Sequence, residues 1–251
     1  MTCGLGTGVF MAKTYEALKR AEEERKVRIG YPSDNHRPEG WKITPQTVIE
    51  HHRLKYNLLR VNSGKKIKAI LFSSPARGEG TSSVLINFAT SLAVDGDRVL
   101  LVDANLRNPS LHGAFDLERE NGLTELLLGQ RSLEEVIKET GVPNLSVITC
   151  GKVHPNPFVI LESDSLKTHT EEMKATADWV LFDSPAITSC NDTAALALRM
   201  DGVVLVVESE KTRWEVAENA SKSIKGGNGN VIGVVLNKRR FHIPEWIYKR
   251  L

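Results

Sequence analysis

The chain has 251 residues, a formal net charge of +2 and an aromatic fraction of 6%. This composition argues against a nucleic-acid partner, because such a partner calls for a strongly basic surface and aromatic side chains on which bases stack. The three cysteines lack the spacing of metal ligands and are typical of thiols in a reducing compartment. No apolar run approaches the roughly 20 residues needed to cross a bilayer. Residues 1–10 do not resemble a signal peptide, so we expect a cytoplasmic protein.

The first part of the chain predicts a helix followed by a linker. A helical pattern runs from Met11 to about Arg28, with apolar residues on one face and favourable charge pairs one turn apart. Glycine, proline and serine punctuate the stretch from Ile29 to Lys42, which is typical of a linker. We expect this N-terminal extension, residues 1–42, to precede one larger domain, residues 43–251.

A second helix is predicted from Thr44 to about Val61. Thr44 is a good N-cap, and Pro45 is favoured in the first turn of a helix. The spacing of its charged residues alone favours a solvent-exposed amphipathic helix with no further role.

The chain is organised around the stretch from Lys68 to Leu92. Ala69–Phe72 is a short apolar run of the kind that forms a buried parallel strand, and a loop containing glycines follows it. A helical pattern then begins at Thr81. Glycines let backbone N–H groups turn toward an anion, and the dipole of a helix favours negative charge at its N-terminus. This stretch therefore predicts a cradle for phosphate groups.

The loop meets the P-loop consensus, G-x-x-x-x-G-K-[ST], only in part. Gly78 and Gly80 are present, and Ser82 occupies the position whose hydroxyl binds Mg²⁺. Thr81 stands in the position of the lysine, and no glycine stands in the position of the first glycine. Taken alone the loop is a weak indication, because glycine-rich turns between a strand and a helix also occur without a ligand.

Apolar runs alternate with helical patterns through the rest of the chain. The predicted strands are Arg98–Asp103, Leu145–Thr149, Trp179–Asp183, Gly202–Val207 and Val231–Leu236. The predicted helices are Gly122–Leu128, Ser132–Glu139, Glu162–Ala177, Asp192–Met200 and Thr212–Lys225. Strands that are apolar throughout favour an α/β fold, a doubly wound and mostly parallel sheet covered on both faces. The loop, Asp103 and Asp183 then lie at the carboxyl ends of strands, where such sheets bind ligands.

A family resemblance rests on six segments that follow one another in the chain. They are SSPARGEGTSSVLINFATSLA, RVLLVDANLRNPSLH, HPNPFVILES, WVLFDSPAI, DGVVLVVESEKTRWEVAENA and GVVLNKRR. Together they resemble the CpsD/CapB-like bacterial tyrosine kinases of capsule and exopolysaccharide assembly, within the MinD/ParA-type deviant P-loop NTPases. The resemblance implies a P-loop NTPase fold, ATP as the nucleotide and Mg²⁺ as its metal.

The resemblance also implies roles for individual positions. The phosphate-binding positions are Gly78, Glu79, Gly80, Thr81, Ser82 and Ser83. Ser82, Asp103 and Asp183 would hold Mg²⁺, as hard oxygen ligands do. Asn237, at the end of the last strand, would lie near the adenine.

Two departures from the family pattern fall on the chemistry itself. Thr81 replaces the lysine of the loop, and Asn105 replaces the second acid after the strand. Phosphoryl transfer relies on positioning and charge stabilisation, so losing one charge-assisted contact should weaken nucleotide binding about 10- to 150-fold. The candidates for a compensating catalytic cation are Arg77 inside the loop, Arg107 near Asp103, and a group from a neighbouring subunit.

The tail of the chain differs from the family as well. The resemblance implies a cluster of tyrosines that the kinase phosphorylates on itself, whereas the segment KRRFHIPEWIYKR holds the single tyrosine Tyr248. Tyr248 is either a phosphate acceptor or a packing residue beside Trp246 and Ile247.

Three functions stay open at this point. The protein is an active ATP-dependent tyrosine kinase of polysaccharide export, a degenerate kinase-like module that binds nucleotide weakly and regulates that system, or a MinD/ParA-type ATPase switch. The family segments after Asp183 argue against the switch. Thr81 and Asn105 favour the degenerate module, whereas Ser82, Asp103 and Asp183 are those of an active enzyme.

The resemblance further implies partners besides the nucleotide. A membrane-anchored chain-length or co-polymerase protein would recruit the chain to the inner face of the plasma membrane. The helix from Met11 is a candidate docking element, or it packs on its own domain. Glu50 and Arg53 partly match the E-x-x-R-x-x-R helix through which the family oligomerises, but Tyr56 replaces its last arginine. A homo-oligomer formed through this helix is therefore an open prediction.

Overall fold

The computed structural model describes residues 45–61 and 67–239 of the chain. These residues belong to one compact unit that spans residues 37–251. The first predicted helix and the linker after it lie outside the described residues. The domain boundary predicted after residue 42 therefore stays a prediction.

One sheet of seven strands forms the centre of the described part of the chain. The strands are β1 (Ala69–Ser73), β2 (Val99–Asp103), β3 (Lys138–Glu139), β4 (Leu145–Ile148), β5 (Trp179–Asp183), β6 (Gly202–Glu208) and β7 (Val231–Asn237). Their spatial order is β3-β4-β2-β5-β1-β6-β7, and all neighbours run parallel except β3 and β4. The predicted α/β fold with a mostly parallel sheet is confirmed.

Helices fill most connections between the strands. They are α1 (Pro45–Arg60), α2 (Thr81–Val94), α3 (Leu111–Ala114), α4 (Leu123–Leu127), α5 (Leu133–Val136), α6 (Pro157–Glu162), α7 (Asp164–Thr176), α8 (Asp192–Ala197) and α9 (Trp214–Gly226), with a 3₁₀ turn at Ile187–Ser189. Within the described ranges, no helix combines the length and the apolar character that a membrane span requires.

The side chains of β1 show why this strand is apolar throughout. Ile70 and Phe72 share a hydrophobic cluster with Leu85 of α2. Leu71, between them, belongs to a second cluster that contains Leu166 of α7. Because successive side chains of a strand point to opposite faces of the sheet, helices cover both faces of β1. Each fully buried side chain of this kind contributes about 1.5–3 kcal/mol to folding.

The second predicted helix is present as α1, which packs against α2. Leu58 of α1 is buried, and the ring of His51 meets the ring of Phe88 edge-on at a centroid distance of 5.9 Å. Glu50 and Arg53 lie on the exposed side of α1 and form a salt bridge of 3.1 Å. The helix therefore has one side in the core and one side in solvent.

One connection differs from its predicted secondary structure. The helix predicted over Ser132–Glu139 ends at Val136, because the next residue, Ile137, already has extended backbone with φ −74° and ψ 124°. Lys138–Glu139 then pairs antiparallel with β4 at the edge of the sheet. The helical pattern of this segment was too short to show where strand pairing begins.

A second connection contains an additional helix. The helix predicted over Glu162–Ala177 is preceded by α6, which begins at Pro157, a residue that favours the first turn of a helix. The extended backbone of Ser163 separates α6 from α7. Both helices contribute to the same hydrophobic cluster, α6 through Ile160 and Leu161 and α7 through Leu166 and Met173.

The sheet places its carboxyl ends where the candidate site lies. Asp183 at the end of β5 is in register with Phe72 of β1 on one side and with Asp103 of β2 on the other. The loop that follows β1 and the two aspartates therefore meet at one edge of the sheet.

Candidate functional site

The loop between β1 and α2 depends on its two glycines. Gly78 and Gly80 have φ of 82° and 87°, a left-handed conformation that residues with a Cβ rarely adopt. A Cβ on Gly80 would also lie 2.4 Å from Nδ2 of Asn237, whereas a Cβ on Gly78 would meet no atom of the described residues within 4 Å. Position 80 therefore requires glycine both for its backbone conformation and for a close contact.

A cavity of about 360 Å³ adjoins this loop. Thr81, Ser82 and Ser83, the first residues of α2, line the cavity on one side, and Asn105 and Pro185 line it on another. The first N–H groups of a helix have no partner inside the helix, and its dipole favours an anion near them. The cavity therefore has the backbone donors that a phosphate group needs.

Arg77 is the one charged residue among the described residues that line this cavity. Its Nε donates a hydrogen bond of 3.1 Å to Oγ of Ser189, so the guanidinium is held by the 3₁₀ turn that follows β5. Arg107 instead forms a two-pronged salt bridge with the buried Asp192, at 2.7 and 3.1 Å. Arg77 is consequently the better placed of the two candidate cations.

The contact between Ser82 and Asp183 lies directly beneath the loop. Oγ of Ser82 donates a hydrogen bond of 2.5 Å to Oδ2 of Asp183. Asp183 is fully buried, and its Oδ1 has no hydrogen-bond partner within the described structure. Burial, together with the nearby Asp103, raises the pKa of Asp183 above its usual value. A buried carboxylate of this kind is costly unless a cation or further donors complete it.

Asp103 faces Asp183 across the two strands, but its carboxylate is satisfied by the backbone. It accepts N–H bonds from Asn105 at 3.3 Å and from Ser110 and Leu111 at 3.0 Å each. Burial raises the pKa of Asp103, and these three bonds oppose the rise. Asp103 therefore shapes the turn after β2 in addition to any role at a metal.

Asn105 belongs to that same turn. Its Oδ1 accepts a hydrogen bond of 3.2 Å from the N–H of Asn108, so its amide supports the local backbone. Thr81 and Asn105, the two departures from the family pattern, line the same cavity. The cavity therefore lacks both the positive charge that the family pattern has at position 81 and the negative charge that it has at position 105.

The residues around Asp183 fit a divalent cation of the Mg²⁺ type. In the described segments, no group of three or more His, Cys, Asp and Glu side chains is arranged to hold a metal. Mg²⁺, however, is commonly bound by one or two carboxylates together with the phosphates of a nucleotide. Oδ1 of Asp183, which no described residue hydrogen-bonds, and the hydroxyl of Ser82 match that requirement.

The side chain of Glu79 is bound by Thr212, a residue outside the loop. It is buried, and its Oε1 accepts a hydrogen bond of 2.5 Å from Oγ1 of Thr212. Burial raises the pKa of Glu79, and the bond from Thr212 opposes the rise. The backbone of Glu79, and not its carboxylate, is therefore what this position offers to a phosphate.

The end of β7 makes contacts that the sequence did not reveal. Nδ2 of Asn237 donates to the carbonyl oxygen of Glu79 at 2.8 Å, and Nζ of Lys238 donates to that of Gly78 at 2.7 Å. The basic run KRR after the last strand is the only signal that could have drawn attention to Lys238. The position of Asn237 beside an adenine stays a prediction.

The structure thus brings most of the predicted site residues together at one edge of the sheet. The loop residues, Asp103 and Asp183 converge there, Arg77 lies at the cavity and Asn237 lies against the loop. Tyr248 lies outside the described residues, and its role stays a prediction.

Known proteins are similar to this chain in sequence and in fold. The family model described as "AAA domain" matches residues 67–226. Tyrosine-protein kinase YwqD of Bacillus subtilis is 34% identical over 191 residues, which cover 76% of this chain and 81% of YwqD. The kinase domain of the Escherichia coli tyrosine kinase ETK has a TM-score of 0.73 and 25% identity, covering 78% of each chain. The septum site-determining protein MinD of Pyrococcus horikoshii, complexed with Mg-ADP, has a TM-score of 0.59 and 23% identity, covering 73% of this chain and 76% of MinD, which shows the fold alone.

The matched region contains the parts of the site that the sequence predicted. Residues 67–226 include the glycine loop, Asp103 and Asp183, and exclude Asn237 and Lys238. Sequence identity to YwqD extends over most of both chains, and the fold agrees with that of a tyrosine-kinase domain. The chain therefore belongs to the family of bacterial tyrosine-protein kinases that includes YwqD, and it has the P-loop ATPase fold.

Proposed function

We propose that the protein binds ATP with Mg²⁺ and transfers the terminal phosphoryl group to tyrosine during capsule or exopolysaccharide assembly. The contact between Ser82 and Asp183 carries this proposal. It joins the hydroxyl expected at Mg²⁺ to a buried carboxylate, one oxygen of which has no hydrogen-bond partner among the described residues. The tyrosine-protein kinase YwqD and its relatives support tyrosine as the acceptor.

The phosphates would be bound mainly by the backbone of residues 78–83. The loop N–H groups and the N-terminus of α2 supply donors and a favourable dipole. Thr81 contributes its N–H group to this cradle but no charge. Arg77, the charged residue of the cavity lining, supplies the positive charge near the phosphates.

Asp103 and Asp183 would have different roles at the metal. Bound Mg²⁺ neutralises charge on the terminal phosphates and orients them. Ser82 would offer a hydroxyl to that ion, and Asp183 an oxygen that has no hydrogen-bond partner in the described part of the chain. Asp103, already bound by three N–H groups, would fix the turn after β2 and accept a bond from a water of the metal.

A regulatory module that binds nucleotide without transferring phosphate is the second candidate. The joint absence of charge at Thr81 and Asn105 favours it, because charge stabilisation is most of what such an enzyme supplies. Loss of one charge-assisted contact costs about 1.5–3 kcal/mol. Binding would then weaken while catalysis suffers more. The MinD-type switch has no comparable support, since the likeness to MinD shows the fold alone.

Calorimetry with Mg²⁺-ATP, run beside ³²P autophosphorylation, separates the two candidates. Wild type, Thr81→Lys and Asp183→Ala are compared. Binding and labelling by wild type, with labelling abolished in Asp183→Ala, supports an active kinase that has replaced its lysine. Weak binding without labelling by wild type, together with tighter binding by Thr81→Lys, supports the regulatory module. No binding by either protein contradicts both.

Tyr248 is the proposed phosphate acceptor within this chain. Tyr248→Phe should lose the ³²P label and keep the ATP affinity of wild type, because the change removes only the acceptor hydroxyl. Full labelling of Tyr248→Phe would contradict this assignment.

The proposed partner is a membrane-anchored co-polymerase that recruits this cytoplasmic protein to the inner face of the plasma membrane. The helix predicted from Met11 to Arg28 is its proposed docking element. Deletion of residues 1–28 should abolish capture by the membrane partner and leave ATP binding unchanged. Unchanged capture would contradict the docking role.

A homo-oligomer through α1 is a further part of the proposal. Tyr56 and Leu59 are 59% and 56% exposed on this helix, next to the exposed pair of Glu50 and Arg53. Light scattering should show an assembly for wild type that Arg53→Glu disrupts. Lys222→Glu, on the exposed side of α9, is the matched control, and an equal effect of both changes would contradict the role of α1.

A further inference from the structure

Two consecutive side chains at the end of β7 bind two consecutive carbonyl groups of the loop. The ammonium of Lys238 donates to the carbonyl of Gly78 at 2.7 Å, and the amide of Asn237 donates to that of Glu79 at 2.8 Å. The partners are 160 and 158 positions apart in the sequence. These bonds therefore attach the phosphate-binding loop to a strand that the loop does not adjoin in the chain.

The geometry of the peptide group determines what these two bonds do. In a planar trans peptide, the C=O and the N–H that follows it point in opposite directions. Holding the carbonyls of Gly78 and Glu79 toward β7 therefore turns the N–H groups of Glu79 and Gly80 away from β7. Such N–H groups are the donors that a glycine loop offers to a bound phosphate.

The two residues are themselves held in place. Oδ1 of Asn237 accepts a hydrogen bond of 2.8 Å from the N–H of Lys238, which leaves Nδ2 to donate to the loop. Lys238 has φ of 55°, a conformation that costs a residue with a Cβ roughly 1–2 kcal/mol. Backbone strain of this size persists where the surroundings impose it, and such positions cluster at functional sites.

The ammonium of Lys238 is also anchored from a third element. It lies 3.1 Å from Oε2 of Glu208, at the end of β6, and Lys211 lies 3.0 Å from the same oxygen. Bonds from Lys211 and Lys238 lower the pKa of Glu208. Lys211 and Lys238 thus share one carboxylate, while Lys238 is the one bonded to the loop carbonyl.

We propose that Asn237 and Lys238 form a latch that orients the loop amides for phosphate, with Lys238 as its charged half. The identity of the ligand rests on the proposed function, whereas the action on the loop does not. Position 81 of this chain carries no ammonium group, so the ammonium that stabilises the loop comes from the end of β7. Lys238 is a positioning residue, because it acts on the phosphate through the amides of Glu79 and Gly80.

The test uses three variants of the full chain. Lys238→Met removes the ammonium and keeps the apolar stem, and Lys238→Arg keeps a cationic donor. Lys211→Met is the matched control, because it removes the same charge from the same carboxylate without touching the loop. The readouts are ¹⁵N backbone order parameters of residues 78–80 without nucleotide, the Kd of Mg²⁺-ATP, and the melting temperature.

The latch predicts a local effect that only Lys238→Met shows. Order parameters in the loop should fall from about 0.85 toward 0.6 or below, and ATP affinity should fall about tenfold. The melting temperature of Lys238→Met should stay close to that of wild type. Lys211→Met and Lys238→Arg should keep the loop order and the ATP affinity of wild type. If Lys238→Met and Lys211→Met give the same order parameters, the latch is overturned.

The outcomes also separate the latch from the proposed function. If Lys238→Met loses loop order and wild type binds no nucleotide, the latch is supported and the proposed nucleotide function is overturned. If wild type binds Mg²⁺-ATP tightly and the loop order of Lys238→Met is unchanged, the nucleotide function is supported and the latch is overturned.

Discussion

Asp103 and Asp183 lie opposite each other on neighbouring strands, yet their carboxylates differ in how completely they are hydrogen-bonded. Asp103 accepts three backbone N–H bonds, whereas Oδ1 of Asp183 has no partner in the described structure. The same two residues would look equivalent in any sequence pattern, since each ends a buried strand. The backbone around Asp103 gives that residue a structural role, whereas the surroundings of Asp183 leave one of its oxygens available to a cation.

This difference predicts opposite effects of the same substitution at the two positions. Asp183→Asn should stabilise the metal-free protein by about 1–2 kcal/mol, because a neutral amide neither buries a charge nor has to take up a proton on folding, whereas burial raises the pKa of Asp183. Asp103→Asn should destabilise it by about 1–3 kcal/mol, because one oxygen that accepts N–H bonds becomes a donor. Urea unfolding at pH 7 with a chelator measures both changes.

Mg²⁺-ATP titration completes that comparison. Asp183→Asn should lose the Mg²⁺-dependent part of nucleotide affinity despite its greater stability. A less stable Asp183→Asn protein, or one with unchanged Mg²⁺ dependence, would show that Asp183 belongs to the fold as Asp103 does.

The two arginines near the cavity give a second matched pair. Arg77→Gln should weaken ATP binding about tenfold and leave stability unchanged, because its guanidinium lies at the cavity and is exposed. Arg107→Gln should instead cost about 3 kcal/mol of stability, because it leaves the buried Asp192 without its partner. Calorimetry and urea unfolding on both variants provide the measurements, and normal ATP affinity in Arg77→Gln would exclude it as the compensating cation.

The fold and the centre of the site were predictable from local sequence patterns. Apolar runs such as Trp179–Asp183 stay apolar because helices cover both faces, so their pattern alone indicates a parallel sheet. Parallel strands bring their carboxyl ends to one edge, which is why the predicted convergence of Asp103 and Asp183 is confirmed.

Contacts that depend on tertiary register were not predictable. The bond from Lys238 to Gly78 joins residues 160 positions apart and requires β7 to end beside the loop. The burial of the Glu79 side chain against Thr212 has the same origin, since no local pattern shows which way a loop side chain points. The pairing of Arg107 with Asp192 likewise removed one of two cations that looked equal in the sequence.

The two glycines of the loop should respond differently to an added methyl group. Gly78→Ala meets only the strain of a positive φ, roughly 1–2 kcal/mol. Gly80→Ala meets the same strain and also places its Cβ 2.4 Å from the amide of Asn237. We expect Gly80→Ala to be the less stable in urea unfolding and to lose more ATP affinity, because Asn237 must move away from the loop. Equal losses in the two variants would mean that the contact with Asn237 does not constrain the loop.

His51 predicts how the stability of the protein depends on pH. Its ring is buried against Phe88, Nδ1 has no partner among the described residues, and burial, assisted by His52, lowers its pKa from 6.5 to about 4. Because the unfolded chain binds this proton near pH 6.5 and the folded chain does not, stability is full above pH 6.5 and falls toward pH 4, by about 2–3 kcal/mol. His51→Phe, which keeps a ring in the same place, should flatten this part of the urea-unfolding profile. An unchanged slope between pH 6.5 and 4 in His51→Phe would assign the effect to other groups.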